Sequence, residues 1–197
     1  TDIAVVDPEN PTEHVPDGSE GEVIVRGPQV FAGYLNRPED TEESFTDGPD
    51  GAAEGRWYRT GDVGVLEEDG FIRLVARIKE VIITGGFNVY PAEVEEVLLE
   101  HPDIVDATVV GLPREDGSEL VIAAVSLAEY ANLDIDAYRQ HARANLTGYK
   151  VPRAFFHLDE MPRDQMGKIR RRDVRDVLME QLEESGRSVD SLVSRKR

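Results

Sequence analysis

ITGGFNVYPAEVEEVL, Ile83 to Leu98, sets two adjacent glycines between a short apolar run and a pattern that reads as a helix. Pro91 suits the first turn of that helix, because the fixed φ of proline is preorganised there and its missing N–H is not needed. Val94, Val97 and Leu98 then recur at i, i+3 and i+4, and the helix ends before His101-Pro102. For the glycines three readings compete: a plain strand-turn-helix corner, a phosphate cradle, or backbone left bare so that something can slide past it.

Downstream of this stretch, DATVVGLP and LVIAAVSL read as strands, and IDAYRQHARANL as a helix with Tyr138, Ala142 and Leu146 on one side. RAFFHL reads as a strand. RRRDVRDVLMEQLEE is a last helix with Val174, Val177, Leu178 and Leu182 inward. The order β-α-β-β-α-β-α gives a small α/β sandwich. Upstream, GEVIVRGP alternates around Val23 and Val25. NRPEDTEESF reads as a short helix. VGVLEEDGFIRLVAR is two apolar runs joined by a turn at Glu68-Asp69-Gly70, a hairpin signal. The fold class is therefore α+β. Residues 1–78 form a β-rich part, residues 79–185 a small α/β domain with a central sheet flanked by helices, and residues 186–197 a flexible tail.

The chain has 197 residues, a net charge of -18 and no cysteine. It is long enough for one domain or two small ones with real cores. Such a charge repels nucleic acid and anionic membranes at long range. No apolar run is long enough to span a membrane. Without cysteine there is no disulfide framework and no thiolate zinc site; no metal ligand set is expected, and a cytoplasmic setting is. Because Thr1 already lies in what reads as a strand, the chain is expected to be a piece of a longer protein. One segment breaks the acidic pattern: Lys150 to Arg175 concentrates cations and is worth testing as an anion site.

Four groups could carry chemistry. In WYRTGDVG, Asp62 follows Thr60-Gly61, a turn that would present its carboxylate at a strand end. A carboxylate accepts two hydrogen bonds at once and suits a pair of neighbouring hydroxyls. The plainer reading is an Asp that only stabilises its own turn. In ARIKEV, Arg77 and Lys79 stand where the two halves join. They are either oxygen-holding cations or solvated charges that blunt a strand edge. Gly85-Gly86 leaves backbone amides uncovered, but lacks the Lys-Ser/Thr ending of a phosphate loop and any G-x-G-x-x-G, so the phosphate cradle is a poor reading. In PRDQMGKIRRR, Lys168 follows a flexible glycine just before the last helix. It is a surface lysine, or a cation on a mobile tip that reaches charge developing on phosphate or carboxylate oxygens.

Together these stretches are distinctive. GEVIVRGPQVFAGYL, WYRTGDVG, ARIKEVIITGGFNVYPAEVEEVL and MPRDQMGKIRR resemble, in order, four consecutive motifs of the adenylate-forming superfamily, from about Gly21 to Val177. That superfamily holds acyl- and aryl-CoA synthetases, peptide-synthetase adenylation domains and luciferases. Ala76 departs from the pattern, where Gly or Asp is usual before the Arg. That should alter local turn freedom more than chemistry.

The resemblance implies an AMP-forming acid–thiol ligase that uses ATP with Mg2+, a carboxylic acid (fatty or aryl) and CoA. An acyl-adenylate forms first, and a thiol then displaces AMP. It implies that residues 1–78 end a large N-terminal domain and that residues 79–185 are its mobile lid. The phosphate-gripping loop and the acid pocket would lie upstream of Thr1, so the chain alone would be inactive. Residue by residue, Asp62 should hold the ribose hydroxyls, and Arg77 should support ribose or α-phosphate. Lys79 should be the hinge residue, with 78–80 absorbing a rotation. Lys168 should be the adenylation lysine, and Gly85 and Gly86 should line the pantetheine tunnel. Around the glycines the sequence looks more like acyl-CoA synthetases. The alternatives are an adenylation domain loading a carrier protein, luciferase chemistry, and a non-catalytic acidic interaction module in which the motifs are relics.

Overall fold

The computed structural model describes residues 1–193. The chain divides into two compact units, Thr1–Lys79 and Glu80–Arg197.

The first unit is built on one antiparallel sheet. Its strands are β1 (Asp2–Val6), β2 (Glu20–Arg26), β3 (Phe45–Thr46), β4 (Trp57–Leu66) and β5 (Ile72–Arg77), and a short helix α1 (Pro38–Glu43) precedes β3. The order is β1-β2-β4-β3, with β5 also on β4. A ten-residue β4 is long enough to pair with β3 at its start and β5 at its end. The Glu68-Asp69-Gly70 turn joins β4 to β5 as read: Gly70 N donates to Glu67 O, and Phe71 N donates to Asp69 Oδ1. Ala4, Val6, Ile24 and Trp57 pack together. Beside them one carboxylate, Glu22, is 2% exposed.

The second unit is a three-layer sandwich. Its sheet has the order β10-β9-β8, from β8 (Ile104–Pro113), β9 (Glu119–Leu127) and β10 (Ala154–His157). β8 and β9 are antiparallel, and β10 runs parallel to β9. Side chains alternate across a strand, so β9 sends Val121, Ala123 and Val125 to one face and Leu120, Ile122 and Ala124 to the other. The first face receives Val94 and Leu98 of α2 (Pro91–Leu99) and Tyr138 and Ala142 of α3 (Ile135–Asn145). The second receives Val174, Leu178 and Leu182 of α4 (Arg171–Glu184). Asp134 caps α3 by accepting from Ala137 N at 3.0 Å. The α+β class and the sheet between helices are as the sequence indicates.

Two features differ from the sequence reading. The paired glycines do not lead from a strand into the helix. They join two short strands, β6 (Ile82–Thr84) and β7 (Phe87–Val89), and α2 follows β7. The segment expected as a tail from 186 is also partly packed. A 3-10 turn at Val189–Leu192 buries Val189 against the α4 face, and Asp190 pairs with Arg114 at 2.7 Å. A buried Val and a half-buried ion pair outweigh the polar composition of the stretch. Residues 194–197 of that tail lie outside the described residues.

Candidate functional site

Asp62 sits on a distortion in the sheet. Between β2 and β4 the pairing steps from Glu22↔Val63 to Ile24↔Arg59. Val23 thus faces three residues, Thr60, Gly61 and Asp62, which bulge out of the ladder. A bulge frees backbone groups that must find other partners. Thr60 supplies two of them: its hydroxyl donates to Val23 O at 2.6 Å and accepts from Asp62 N at 3.0 Å. Gly61 takes φ +70, a conformation that favours glycine. On its other edge β4 places Asp62 directly opposite Arg77 of β5. The Arg77 Nε lies 2.8 Å from Asp62 Oδ1, and Nη1 donates to Thr60 O at 3.1 Å. Arg77 therefore fixes the bulge and the carboxylate at once. The side chain of Asp62 is 24% exposed and that of Arg77 61%. A pair this wet adds at most about 1 kcal/mol to stability; its consequence is the direction in which the carboxylate points.

Tyr58, three residues before Gly61, was not singled out from the sequence. Burial raises its hydroxyl pKa, and so does the hydrogen bond to Tyr34; the charge of Asp62 pushes the same way and that of Arg77 opposes it. Its ring meets Phe31 and Phe45 at 5.0 and 5.6 Å. WY before TGD was the available signal, but aromatic residues in strands are common.

Lys79 is exposed within a 3-10 turn, Ile78–Glu80, and the boundary of the two units falls immediately after it. Arg77 is held on the near side by Asp62. On the far side, Glu80 Oε2 lies 3.5 Å from Arg171 Nη1, at the start of α4. Arg171 Nη2 reaches Glu95 Oε2 at 2.9 Å, and Glu95 Oε1 accepts from Val109 N at 2.7 Å. Burial pushes the Glu95 carboxyl above its usual range, more than Arg171 pulls it down.

Gly85 and Gly86 form the two-residue loop of the β6–β7 hairpin, with φ +57 and +81. Positive φ at both positions is the mirror-image turn that suits the twist of paired strands. A Cβ at either would meet nothing within 4 Å. The turn is open backbone, braced by Phe87 stacked on Tyr149 at 4.5 Å. Lys150, next in the chain, binds Glu93 of α2 at 2.6 Å.

Lys168 lies on a tight loop before α4. Asp164 Oδ1 accepts from Met166 N and from Lys168 N, and Asp164 N donates to Lys168 O at 2.8 Å. Arg163 spans the loop, donating to Gly167 O and pairing with Asp106 at 2.6 Å. The backbone is thus fixed, while the Lys168 side chain is exposed and its ammonium makes no ion pair or hydrogen bond among the described residues. The basic stretch from Lys150 to Arg175 is not one anion patch. Lys150, Arg163, Arg170 and Arg171 are each paired with a carboxylate, whereas Lys168, like Arg153, Arg172 and Arg175, has no ion pair among the described residues.

Residues 93–168 match the family model of the AMP-binding enzyme C-terminal domain. Over these residues the chain carries the C-terminal domain of AMP-binding enzymes. It is 43% identical over 159 residues to a long-chain-fatty-acid–CoA ligase of Yersinia pestis, covering 81% of this chain and 27% of that protein. It is 42% identical over 158 residues to a 2-succinylbenzoate–CoA ligase of Geobacillus kaustophilus, covering 80% and 31%. Among solved structures, ATP-bound MatB from Rhodopseudomonas palustris aligns with a TM-score of 0.79 at 34% identity, over 89% of this chain and 33% of that one. The chain spans about a third or less of the length of these relatives. Among the described residues no helix is long and apolar enough to cross a membrane.

Proposed function

We propose that this chain is the lid and adjoining sheet of an ATP-dependent acyl-CoA synthetase. The observation that carries the reading is the pairing of two contrasting groups on family motifs: a carboxylate locked in a β-bulge, Asp62, and a free ammonium on a rigid loop, Lys168. Asp62 accepts from the two ribose hydroxyls of ATP, and Arg77 holds it and lends positive charge beside it. Lys168 neutralises the charge that gathers when the carboxylate of the acid attacks the α-phosphorus and pyrophosphate leaves. Positioning and electrostatics supply most of such a phosphoryl displacement. Mg2+ travels with the nucleotide phosphates. In the second half-reaction the thiol sulfur of CoA bonds to the acyl carbon, AMP leaves, and the thiol proton passes to solvent. The open Gly85-Gly86 turn suits the passage of a thin pantetheine arm. Rotation at 78–80 exchanges the face bearing Lys168 for the face bearing the glycines. The relatives named as CoA ligases support CoA over a carrier-protein thiol. A cysteine-free chain is compatible with a reducing cytoplasm.

The experiment is Lys79→Pro in the full-length enzyme that contains this chain. Proline fixes φ at the hinge. Acid-dependent ATP–pyrophosphate exchange should persist while CoA-thioester formation falls about tenfold or more. Equal loss of both half-reactions with a lowered melting temperature would remove the hinge.

A further inference from the structure

Glu22 is buried at 2% exposure and lies where the β2–β4 ladder breaks, opposite Val63. Its Oε2 accepts from Arg59 Nε at 2.9 Å and Nη2 at 2.6 Å. Its Oε1 accepts from Gly61 N at 3.3 Å. Arg59 Nη2 also donates to Pro8 O at 2.9 Å, which ties the pair to the loop after β1. We propose that Glu22 is a positioning residue for the nucleotide site, acting through Gly61 to fix Asp62. This rests on the nucleotide-site reading given above.

Taking a carboxylate out of water costs several kcal/mol, and a buried ion pair is often matched or bettered in stability by apolar residues of similar volume. Stability is therefore a poor reason for Glu22. Geometry is a better one. The Gly61 amide is turned away from the ladder by its positive φ and needs an acceptor inside the sheet. A carboxylate clamped by an arginine fork is an acceptor that cannot rotate freely. With Thr60 and Arg77 holding the flanking groups, Glu22 completes the set of bonds around the bulge. Asp62 is one residue further on, so movement of Gly61 moves the carboxylate. Misplacing a recognition group by about 1 Å can cost on the order of a hundredfold. Nothing in the sequence alone joins these residues, which are 39 positions apart.

The test uses the full-length enzyme, with Mg-ATP and the acid varied separately. A Glu22→Met/Arg59→Met double variant removes the buried carboxylate together with its half-buried partner charge. It should melt within a few degrees of wild type, raise the KM for ATP by about tenfold or more, and leave the KM for the acid within about twofold. Glu22→Gln is the second variant, in case the double one does not fold: it keeps an acceptor but weakens the clamp, and should raise the ATP KM by about threefold or more and leave the KM for the acid within about twofold, at a melting temperature lowered because Arg59 loses its counter-charge. Asp62→Ala serves as reference. If a folded Glu22 variant keeps the wild-type KM for ATP while Asp62→Ala raises it, the positioning role is wrong and the nucleotide site stands. If Asp62→Ala itself leaves the ATP KM unchanged, the nucleotide site is wrong and the role of Glu22 goes with it.

Discussion

Asp62 and Lys168 are held in opposite ways. Around Asp62, the two preceding residues and the facing strands are all tied: Thr60 to β2, Gly61 to Glu22, Asp62 to Arg77. Around Lys168 only the backbone is tied, through Asp164 and Arg163, and the side chain stands free. A group that recognises a rigid diol gains from being fixed before the ligand arrives, because no ordering is left to pay for on binding. A cation that must follow charge as it moves during reaction, and then withdraw, needs a fixed base and a loose end. The ion pairs show the same division: Lys150, Arg163, Arg170 and Arg171 are each paired with a carboxylate, and Lys168, the cation proposed to react, is not.

The comparison breaks most readily at Lys168. Lys168→Ala in the full-length enzyme should slow acid-dependent ATP–pyrophosphate exchange by about a hundredfold to a thousandfold, the usual size of a lost transition-state charge contact. Thioester formation from preformed acyl-adenylate should change far less. The melting temperature should stay put, because an exposed unpaired side chain contributes little. An exchange rate near wild type would leave Lys168 an ordinary surface lysine.

Asp62→Ala probes the fixed partner. The loss of hydrogen bonds to a charged acceptor should raise the KM for ATP by roughly tenfold to a hundredfold. It should leave the second half-reaction from preformed adenylate nearer to wild type in rate once the site is saturated. If the rate fell without any change in ATP affinity, Asp62 would be acting on the chemistry and not on recognition.

What could be read from the sequence divides along similar lines. Helix α2 and strands β8 and β9 were legible because their burial is periodic: Val94 and Leu98 on one helix face, alternate residues of Val121–Val125 on each side of the sheet. Strand β7 was hidden. Phe87-Asn88-Val89 is three residues long and exists only because Gly85 and Gly86 both adopt positive φ. Asp62, Arg77 and Lys168 stood out as motif residues. The bulge that aims Asp62 did not, since it depends on Glu22 and Arg59, 37 residues apart and each plausible as a surface charge. The turn at Val189–Leu192 was missed for the same reason: its anchor, Arg114, is 76 positions from Asp190.

The glycine turn sharpens the contrast from a third side, since it is fixed backbone with no side chain at all. Gly86→Trp should leave pyrophosphate release near wild type and cut CoA-thioester yield about tenfold, with acyl-adenylate accumulating. Because a Cβ there meets open space, the cost to folding is limited to the strained φ, about 1 kcal/mol. Gly85→Asn should be nearly silent in folding, since Asn tolerates the first position of such a turn. A normal thioester yield from the Trp variant would end the tunnel reading. Equal loss of both steps with a lowered melting curve would make the turn structural only.

The smallest effect concerns the fixed base behind Lys168, where Arg171 joins Glu95 to Glu80. Glu95 is the carboxylate in this network whose pKa is raised, burial being the first cause, with the pull of Arg171 opposing it. A carboxyl raised on folding binds its proton more tightly in the folded state than in the unfolded one. Its contribution to stability is therefore fully present below the ordinary value of 4.5 and is lost as pH rises through the folded value. Glu95→Gln does not titrate and still offers an oxygen to Val109 N. The melting temperature of wild type minus that of the variant should thus shrink as pH rises from about 4 toward neutral, by an amount on the order of a few degrees. Protein melting curves on both chains across that range are the measurement, with Glu80→Gln as a control for charge near Arg171. A gap that widens with pH would mean that the pairing with Arg171 outweighs burial. In that case Arg171 would be held chiefly by charge, and the segment leading from Lys168 into α4 should loosen on acidification. A shrinking gap means that packing holds it, and the base under Lys168 keeps its shape while the carboxylate titrates.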